Sequence, residues 1–122
     1  ELLMHRLDQS GAQVYLINTG WSRGGYGKGG ERFSIPTTRA VVSAAVSGEL
    51  KIEDTVLLPG FNLRIPTSVK GVDSELLNPS LNWKDQNEYQ QNLKELINRF
   101  VANFKKFSVS EAILKAGPVV SE

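Results

Sequence analysis

Gly11-Ala12-Gln13-Val14-Tyr15-Leu16-Ile17-Asn18-Thr19-Gly20 is the stretch on which the fold turns. Val14 to Ile17 is an unbroken run of β-branched, aliphatic and aromatic residues without polar alternation, the pattern of a strand buried on both faces. Just upstream, Leu2, Leu3, Arg6 and Leu7 fall at helical spacing, so residues 1 to 10 read as the end of a helix that Gly11 stops. Helix, glycine turn and buried strand together predict an α/β fold.

Downstream of this unit, residues 20 to 30 carry Gly20, Gly24, Gly25, Gly27, Gly29 and Gly30, six of the eleven glycines in the chain. Such a density suits neither a helix nor a strand and predicts a loop. Arg32 to Ile35 then reads as a short extended segment ending at Pro36. Thr37 or Thr38 reads as the cap of a helix running from Ala40 to Val46 and stopped by Gly48. Residues 52 to 69, punctuated by Pro59, Gly60 and Pro66, suit two short strands joined by a turn. Residues 70 to 83 read as an irregular covering loop anchored by Val72, Leu76 and Leu77.

The clearest periodicity comes late. Tyr89, Leu93, Leu96, Ile97, Phe100, Val101, Phe104 and Phe107 step by three and four along one stripe, which predicts a long amphipathic helix with that stripe in the core. Asp85 at its start and Lys105-Lys106 at its end match the helix dipole. A short last helix is expected over residues 109 to 116, stopped by Gly117-Pro118. The fold class is therefore mixed α and β, a single unit over residues 1–122.

Composition narrows the function. The 122 residues hold 14 basic and 13 acidic side chains, a net charge near +1, which lacks the basic excess of a general nucleic-acid binder. With no cysteine and His5 as the one histidine, thiol catalysis, disulfides, thiolate metal sites and multi-histidine sites drop out. No apolar run approaches the roughly 20 residues that cross a bilayer. These features predict a cytoplasmic protein with neither a nucleic-acid nor a membrane partner. A chain opening on Glu1 instead of Met, inside a helical pattern, points to a piece of something longer.

The glycine loop is the candidate site. Gly25-Tyr26-Gly27-Lys28-Gly29-Gly30 satisfies the dinucleotide pattern literally, and Glu49 stands at a distance suited to a ribose-binding acid. That reading requires a helix opening directly from the glycines, yet Glu31, an extended piece and Pro36 intervene. A phosphate P-loop fails as well, because Gly29 follows Lys28 where Ser or Thr is needed and Ser22 stands where its first glycine belongs. What survives is a basic loop: Arg23, Lys28, Arg32 and Arg39 within about 20 residues, opposed by Glu31, with glycines that let backbone N–H groups approach an anion. Solvated surface charge is the competing reading. Thr38 is first a capping residue, and Trp21 first a core anchor and second a ligand-facing platform. Glu49, Glu53, Asp54, Asp73 and Glu75 show no pairing that marks acid–base chemistry.

Asn18-Thr19-Gly20-Trp21, the loop containing Tyr26-Gly27, Arg32-Phe33-Ser34-Ile35 and Thr38-Arg39-Ala40 resemble, in order and spacing, the closing segment of the ATP-dependent phosphoenolpyruvate carboxykinases. Further matches follow in register: Ala44-Ala45, Ser47-Gly48-Glu49-Leu50, Phe61-Asn62-Leu63, Ile65-Pro66-Thr67, Gly71-Val72, Leu77-Asn78-Pro79, Asn82-Trp83, Asn103-Phe104 and Ala116-Gly117-Pro118. The resemblance covers essentially the whole chain but only the last quarter or so of such an enzyme. It implies the C-terminal portion of a nucleotide-binding lobe in an enzyme that turns oxaloacetate and ATP into phosphoenolpyruvate, ADP and carbon dioxide in gluconeogenesis, with Mg and Mn ions assisting.

The resemblance also implies residue roles. Arg32, Phe33 and Thr38 occupy the family's nucleotide positions, where a guanidinium, an apolar ring and a hydroxyl suit adenine; Arg23 and Lys28 are added as anion contacts. Catalytic and metal-binding residues are expected in the N-terminal remainder of the enzyme, so this segment alone is expected to be inactive. Two positions depart from the family pattern. Glu31 replaces a common Lys, lowering positive charge beside the loop, and Asn78-Pro79-Ser80-Leu81-Asn82 lacks an Arg that forms an ion pair. The rival expectations are a non-catalytic anion-binding module and a purely structural piece of the same fold.

Overall fold

In a computed structural model, residues 2–119 are described. The chain runs through helix α1 (Leu2–Ser10), strands β1 (Trp21–Ser22) and β2 (Glu31–Arg32), and helix α2 (Ile35–Val46). Strands β3 (Thr55–Leu58) and β4 (Leu63–Pro66) follow, then helices α3 (Pro79–Asn82), α4 (Gln86–Phe104) and α5 (Glu111–Ala116). The architecture is mixed α and β: helices beside two separate antiparallel ribbons, β1–β2 and β3–β4.

The decisive stretch does not form the predicted strand. α1 ends as expected, with the Gly11 N–H donating to the Leu7 carbonyl at 2.8 Å and Gly11 at φ +63°. Beyond it, residues 11 to 19 carry no regular structure. Val14 and Leu16 are 63% and 86% exposed, Tyr15 and Ile17 39% and 38%. The physical reason is pairing. A doubly buried strand exists only between neighbours on both edges, and both ribbons of the described residues use their strands on each other.

Helix α2 begins earlier than its sequence suggests. Its N-cap is Ser34, whose Oγ accepts the Thr37 N–H, and Pro36 sits inside the first turn, where a missing N–H costs nothing. Neither Thr37 nor Thr38 is therefore the cap. The Thr37 hydroxyl does join it, 2.8 Å from Ser34 Oγ. Gly48, at φ +73°, ends the helix as expected.

The hairpin predicted over residues 52 to 69 forms in register, Thr55 opposite Pro66 and Leu58 opposite Leu63. Its turn uses Gly60 at φ +83° and Asn62 at φ +54°. A β-carbon on Gly60 would lie 2.6 Å from Ile97 Cδ1, so α4 packs against the turn where only glycine fits. The C-terminal segment ties in at the same place: the Val119 N–H donates to the Gly60 carbonyl at 2.9 Å, and Asn62 Nδ2 to the Gly117 carbonyl at 2.9 Å.

Residues 70 to 83 hold more order than the sequence suggests. A 3-10 turn over Ser74–Leu77 is capped by Asp73, and α3 by the Asn78 side chain, which also accepts from Ser80 Oγ at 2.7 Å. Short side-chain caps organise backbone that lacks any long-range pattern.

Asp85 caps α4 by accepting from the N–H groups of Asn87 and Glu88. Of the predicted stripe, Tyr89 and Ile97 are buried, whereas Leu96 and Phe100 are exposed. Phe107 lies past the helix end and is exposed. The expected core face is thus half-covered by the described residues. Phe61 meets Phe100 edge-on at 5.9 Å, and Trp83 meets Tyr89 at 5.8 Å. Burial raises the Tyr89 phenol above its ordinary pKa.

Candidate functional site

The glycine loop is held as the mouth of a two-residue ribbon. Trp21 pairs with Arg32 and Ser22 with Glu31, and the Phe33 N–H extends the pairing to the Gly20 carbonyl at 3.2 Å. Residues 23 to 30 therefore leave and return at one fixed point. Within the loop, Arg23 adopts φ +63°, an unusual conformation for a residue with a β-carbon. Gly24 and Gly30 press so closely that a β-carbon on Gly24 would lie 2.9 Å from the Lys28 carbonyl oxygen and 3.1 Å from the Gly30 nitrogen. Glycine is required at this waist by contact as well as by dihedral angle.

Arg23 is kept in place by a residue that sequence reasoning passed over. The Arg23 N–H donates to Asn82 Oδ1 at 3.1 Å, and Asn82 Nδ2 donates to the Glu75 carbonyl at 3.0 Å. Asn82 is buried at 8% exposure, so each of its polar groups is spent inside the protein. The bond spans 59 positions in sequence. No local pattern announces it; the available signal was an Asn directly before Trp83, in a segment read as covering loop.

The side chains around the mouth are aromatic and basic. The Arg32 guanidinium carbon lies 5.8 Å from the Trp21 ring centroid, within cation–π range, and Tyr26 meets Trp21 edge-on at 5.2 Å. Trp21, 40% exposed, is not the core anchor its sequence context suggests. Arg23 Nη1 lies 3.7 Å from Glu31 Oε2, with both side chains partly in water. Such a pair contributes little to stability, but it sets a negative charge against one of the loop's cations. Lys28 is exposed on the outer arm of the loop.

Phe33 and Thr38 flank the start of α2. Phe33 precedes the N-cap and Thr38 is the fourth helical residue, so the two stand at either end of the first turn. The Thr38 N–H donates to the Ser34 carbonyl at 3.0 Å, and its hydroxyl takes no part in the cap. Both side chains are half-buried. The start of α2 thus carries an apolar ring just before its cap and a hydroxyl in its first turn, with a guanidinium one residue upstream on β2 and a glycine-rich, cation-bearing loop closed by the same ribbon. No group of three or more His, Cys, Asp or Glu among the described residues could hold a metal ion. No helix among them is long and apolar enough to cross a membrane.

Comparison with known proteins places the chain in a lineage. A family model described as phosphoenolpyruvate carboxykinase matches residues 1–75, a span that includes the loop and α2. The phosphoenolpyruvate carboxykinase (ATP) of Bacillus velezensis is 46% identical over 117 residues, which cover 96% of this chain and 22% of that protein. The enzyme of the same name from Caldanaerobacter subterraneus is 46% identical over 119 residues, 97% of this chain and 23% of that protein. That from Lysinibacillus sphaericus is 47% identical over 118 residues, with 96% and 22% covered. The chain spans less than a quarter of the length of the curated relatives it matches, and it belongs to the phosphoenolpyruvate carboxykinase family.

Proposed function

We propose that this chain is the C-terminal part of the nucleotide-binding lobe of an ATP-dependent phosphoenolpyruvate carboxykinase, and that it supplies part of the adenine site. The whole enzyme would convert oxaloacetate and ATP into phosphoenolpyruvate, ADP and carbon dioxide, a gluconeogenic reaction carried out in the cytoplasm. The observation that supports the reading is the placing of Phe33 before the N-cap and Thr38 in the first turn of α2, directly after Arg32 on the Trp21 ring. An apolar ring flanks a purine face, a free hydroxyl fixes one of its edges, and a guanidinium stacks or donates. Arg23 and Lys28 are the cations within reach of a phosphate tail, Arg23 being already shared with Glu31.

The chemistry itself belongs to the remainder of the protein. Decarboxylation and phosphoryl transfer call for a phosphate cradle, metal ligands and groups for oxaloacetate; Mg and Mn ions would be held there. The chain's share is positioning. It orients the base so that the γ-phosphoryl group arrives where the remainder needs it.

The test is ATP kinetics of the full-length protein. Phe33→Ala is expected to raise KM for ATP roughly fivefold to tenfold, the range of about 1–1.5 kcal/mol for an aromatic contact, with KM for oxaloacetate unchanged. Thr38→Val is expected to raise it less, as befits one hydrogen bond. Unaltered KM for ATP in both variants would remove Phe33 and Thr38 from the nucleotide site.

A further inference from the structure

We propose that Trp21 is a positioning residue for the nucleotide: its ring holds the Arg32 guanidinium by the flat face and leaves the N–H edge free to donate. The proposal rests on the reading of Arg32 as a nucleotide contact and adds what keeps that group in place. Backbone comes first. Trp21 and Arg32 are direct partners across the ribbon, so their side chains rise from the same face. Ser22 and Glu31, the neighbouring pair, fall on the opposite face by the period of two.

That alternation sorts the charges. Glu31 is engaged with Arg23, its Oε2 lying 3.7 Å from Arg23 Nη1. Among the described residues, no carboxylate lies within ion-pair distance of Arg32; its guanidinium carbon stands 5.8 Å from the centroid of the Trp21 ring. The kind of contact matters. A carboxylate binds a guanidinium along its N–H edge, the edge that acceptors on a nucleotide also need, so the two compete. An aromatic ring binds the face, and all five donors stay available. Stacking also removes in advance part of the rotamer freedom that a long side chain otherwise loses on taking up a ligand.

The loop adds a second contact to the same ring. Gly25 to Lys28 forms a turn closed by the Lys28 N–H on the Gly25 carbonyl at 3.1 Å, with Gly27 at φ +72°. Tyr26 stands at its first corner and meets Trp21 edge-on at 5.2 Å, with 67° between the ring planes. Tyr26 is itself 82% exposed. With a glycine on each side, the backbone constrains Tyr26 little, and the ring contact ties the loop tip to the ribbon. A tryptophan left 40% exposed adds little to a core; its aromatic and cationic neighbours are a loop residue and the nucleotide arginine.

ATP kinetics of the full-length protein test the proposal. Trp21→Leu removes the π-face and is expected to raise KM for ATP about twofold to fivefold, the range of an exposed cation–π contact, with kcat and KM for oxaloacetate unchanged. Trp21→Phe keeps a ring that attracts cations less strongly and is expected to raise it less. The critical comparison is made in the Arg32→Ala background, where KM for ATP is already raised. There Trp21→Leu is expected to add nothing, because no guanidinium is left to hold. Equal effects of Trp21→Leu with and without Arg32 make Trp21 act independently of that residue and overturn the proposal, as does a general loss in kcat and both KM values. A raised KM for ATP in Arg32→Ala with none in Trp21→Leu overturns it too, while sparing the nucleotide reading; an unaltered KM for ATP in Arg32→Ala overturns both. If Trp21→Leu does not fold, Trp21→Phe carries the same comparison at smaller amplitude, and equal effects in the two backgrounds overturn the proposal.

Discussion

Asn82 shows how much a single side chain can decide at this site. Its amide bridges the Arg23 N–H and the Glu75 carbonyl, two main-chain groups far apart in sequence. Replacing it by Leu keeps the volume and strands both partners, at a cost of about 1–3 kcal/mol each if they stay dry. Asn82→Leu is therefore expected to lower Tm and to shift the amide resonances of residues 23 to 30, whereas Ser80→Ala, which removes a bond inside its own turn, leaves them in place. Resonances unmoved in Asn82→Leu would show that the loop holds itself. Tyr89 offers a second check through its proton. Burial raises its pKa above the ordinary 10.0, so the folded state binds this proton more tightly than the unfolded state does. The stability it carries is fully present below pH 10 and is lost as pH rises through the folded value. Ultraviolet titration is expected to show a tyrosine ionising above the ordinary phenol range, and Tyr89→Phe to remove that late step.

The elements differ in how plainly the sequence announces them, and the difference follows the range of the interactions. Helix α4 and the β3–β4 hairpin rest on local period and turn chemistry, Asp85 as cap and Pro59-Gly60 as punctuation; the hairpin forms within its expected span, and α4 forms but ends at Phe104, short of Phe107, with part of its stripe exposed. The start of α2 was misplaced because Pro36 reads as a barrier when it is in fact a first-turn residue behind Ser34. Thr38 becomes a site candidate only through the family resemblance, and its hydroxyl takes no part in the cap. Val14 to Ile17 reads as a buried strand and stands unpaired, because pairing is a property of the neighbour. Packing between elements is equally invisible to local pattern, and Gly60 is its sharpest case. Gly60→Ala must accept φ +83° and a β-carbon 2.6 Å from Ile97 Cδ1, so a loss of about 2 kcal/mol or more is expected. Ile97→Val removes that same Cδ1 and alone costs about 1 kcal/mol. The double variant is expected to lose less than the two singles together, because the clash and the cavity occupy one space. Strict additivity in urea denaturation would place the Gly60 effect in its dihedral angle alone.

For the whole molecule the governing quantity is what stays outside the core. Ala44, Leu58, Val69, Tyr89 and Ile97 are the buried hydrophobic residues among those described, a small set for a chain of this size. Leu96 and Phe100 lie open on α4, and Val14 and Leu16 on the extended segment. A self-sufficient binding module would bury its aromatic stripe, and it would lose that burial in one cooperative step. A segment whose core is completed by other residues would not, since little surface is newly exposed when it unfolds. The urea dependence separates the two, because its slope tracks the area exposed on unfolding. The isolated 122-residue chain is expected to unfold with a slope under about 1 kcal/mol per molar and to bind the apolar dye ANS before denaturant is added. A steeper, single transition without dye binding would favour the stand-alone module. Arg32, Phe33 and Thr38 lie on a ribbon and a helix start anchored by Gly20, Ser34 and Asn82, and that anchorage leads back through residues 18 to 20 to Val14–Ile17, whose main chain is unpaired among the described residues. Binding of ATP by the isolated chain is therefore expected to be weaker than by the full-length protein even where every contact residue is present, because a loop is only as well placed as the segment that delivers it.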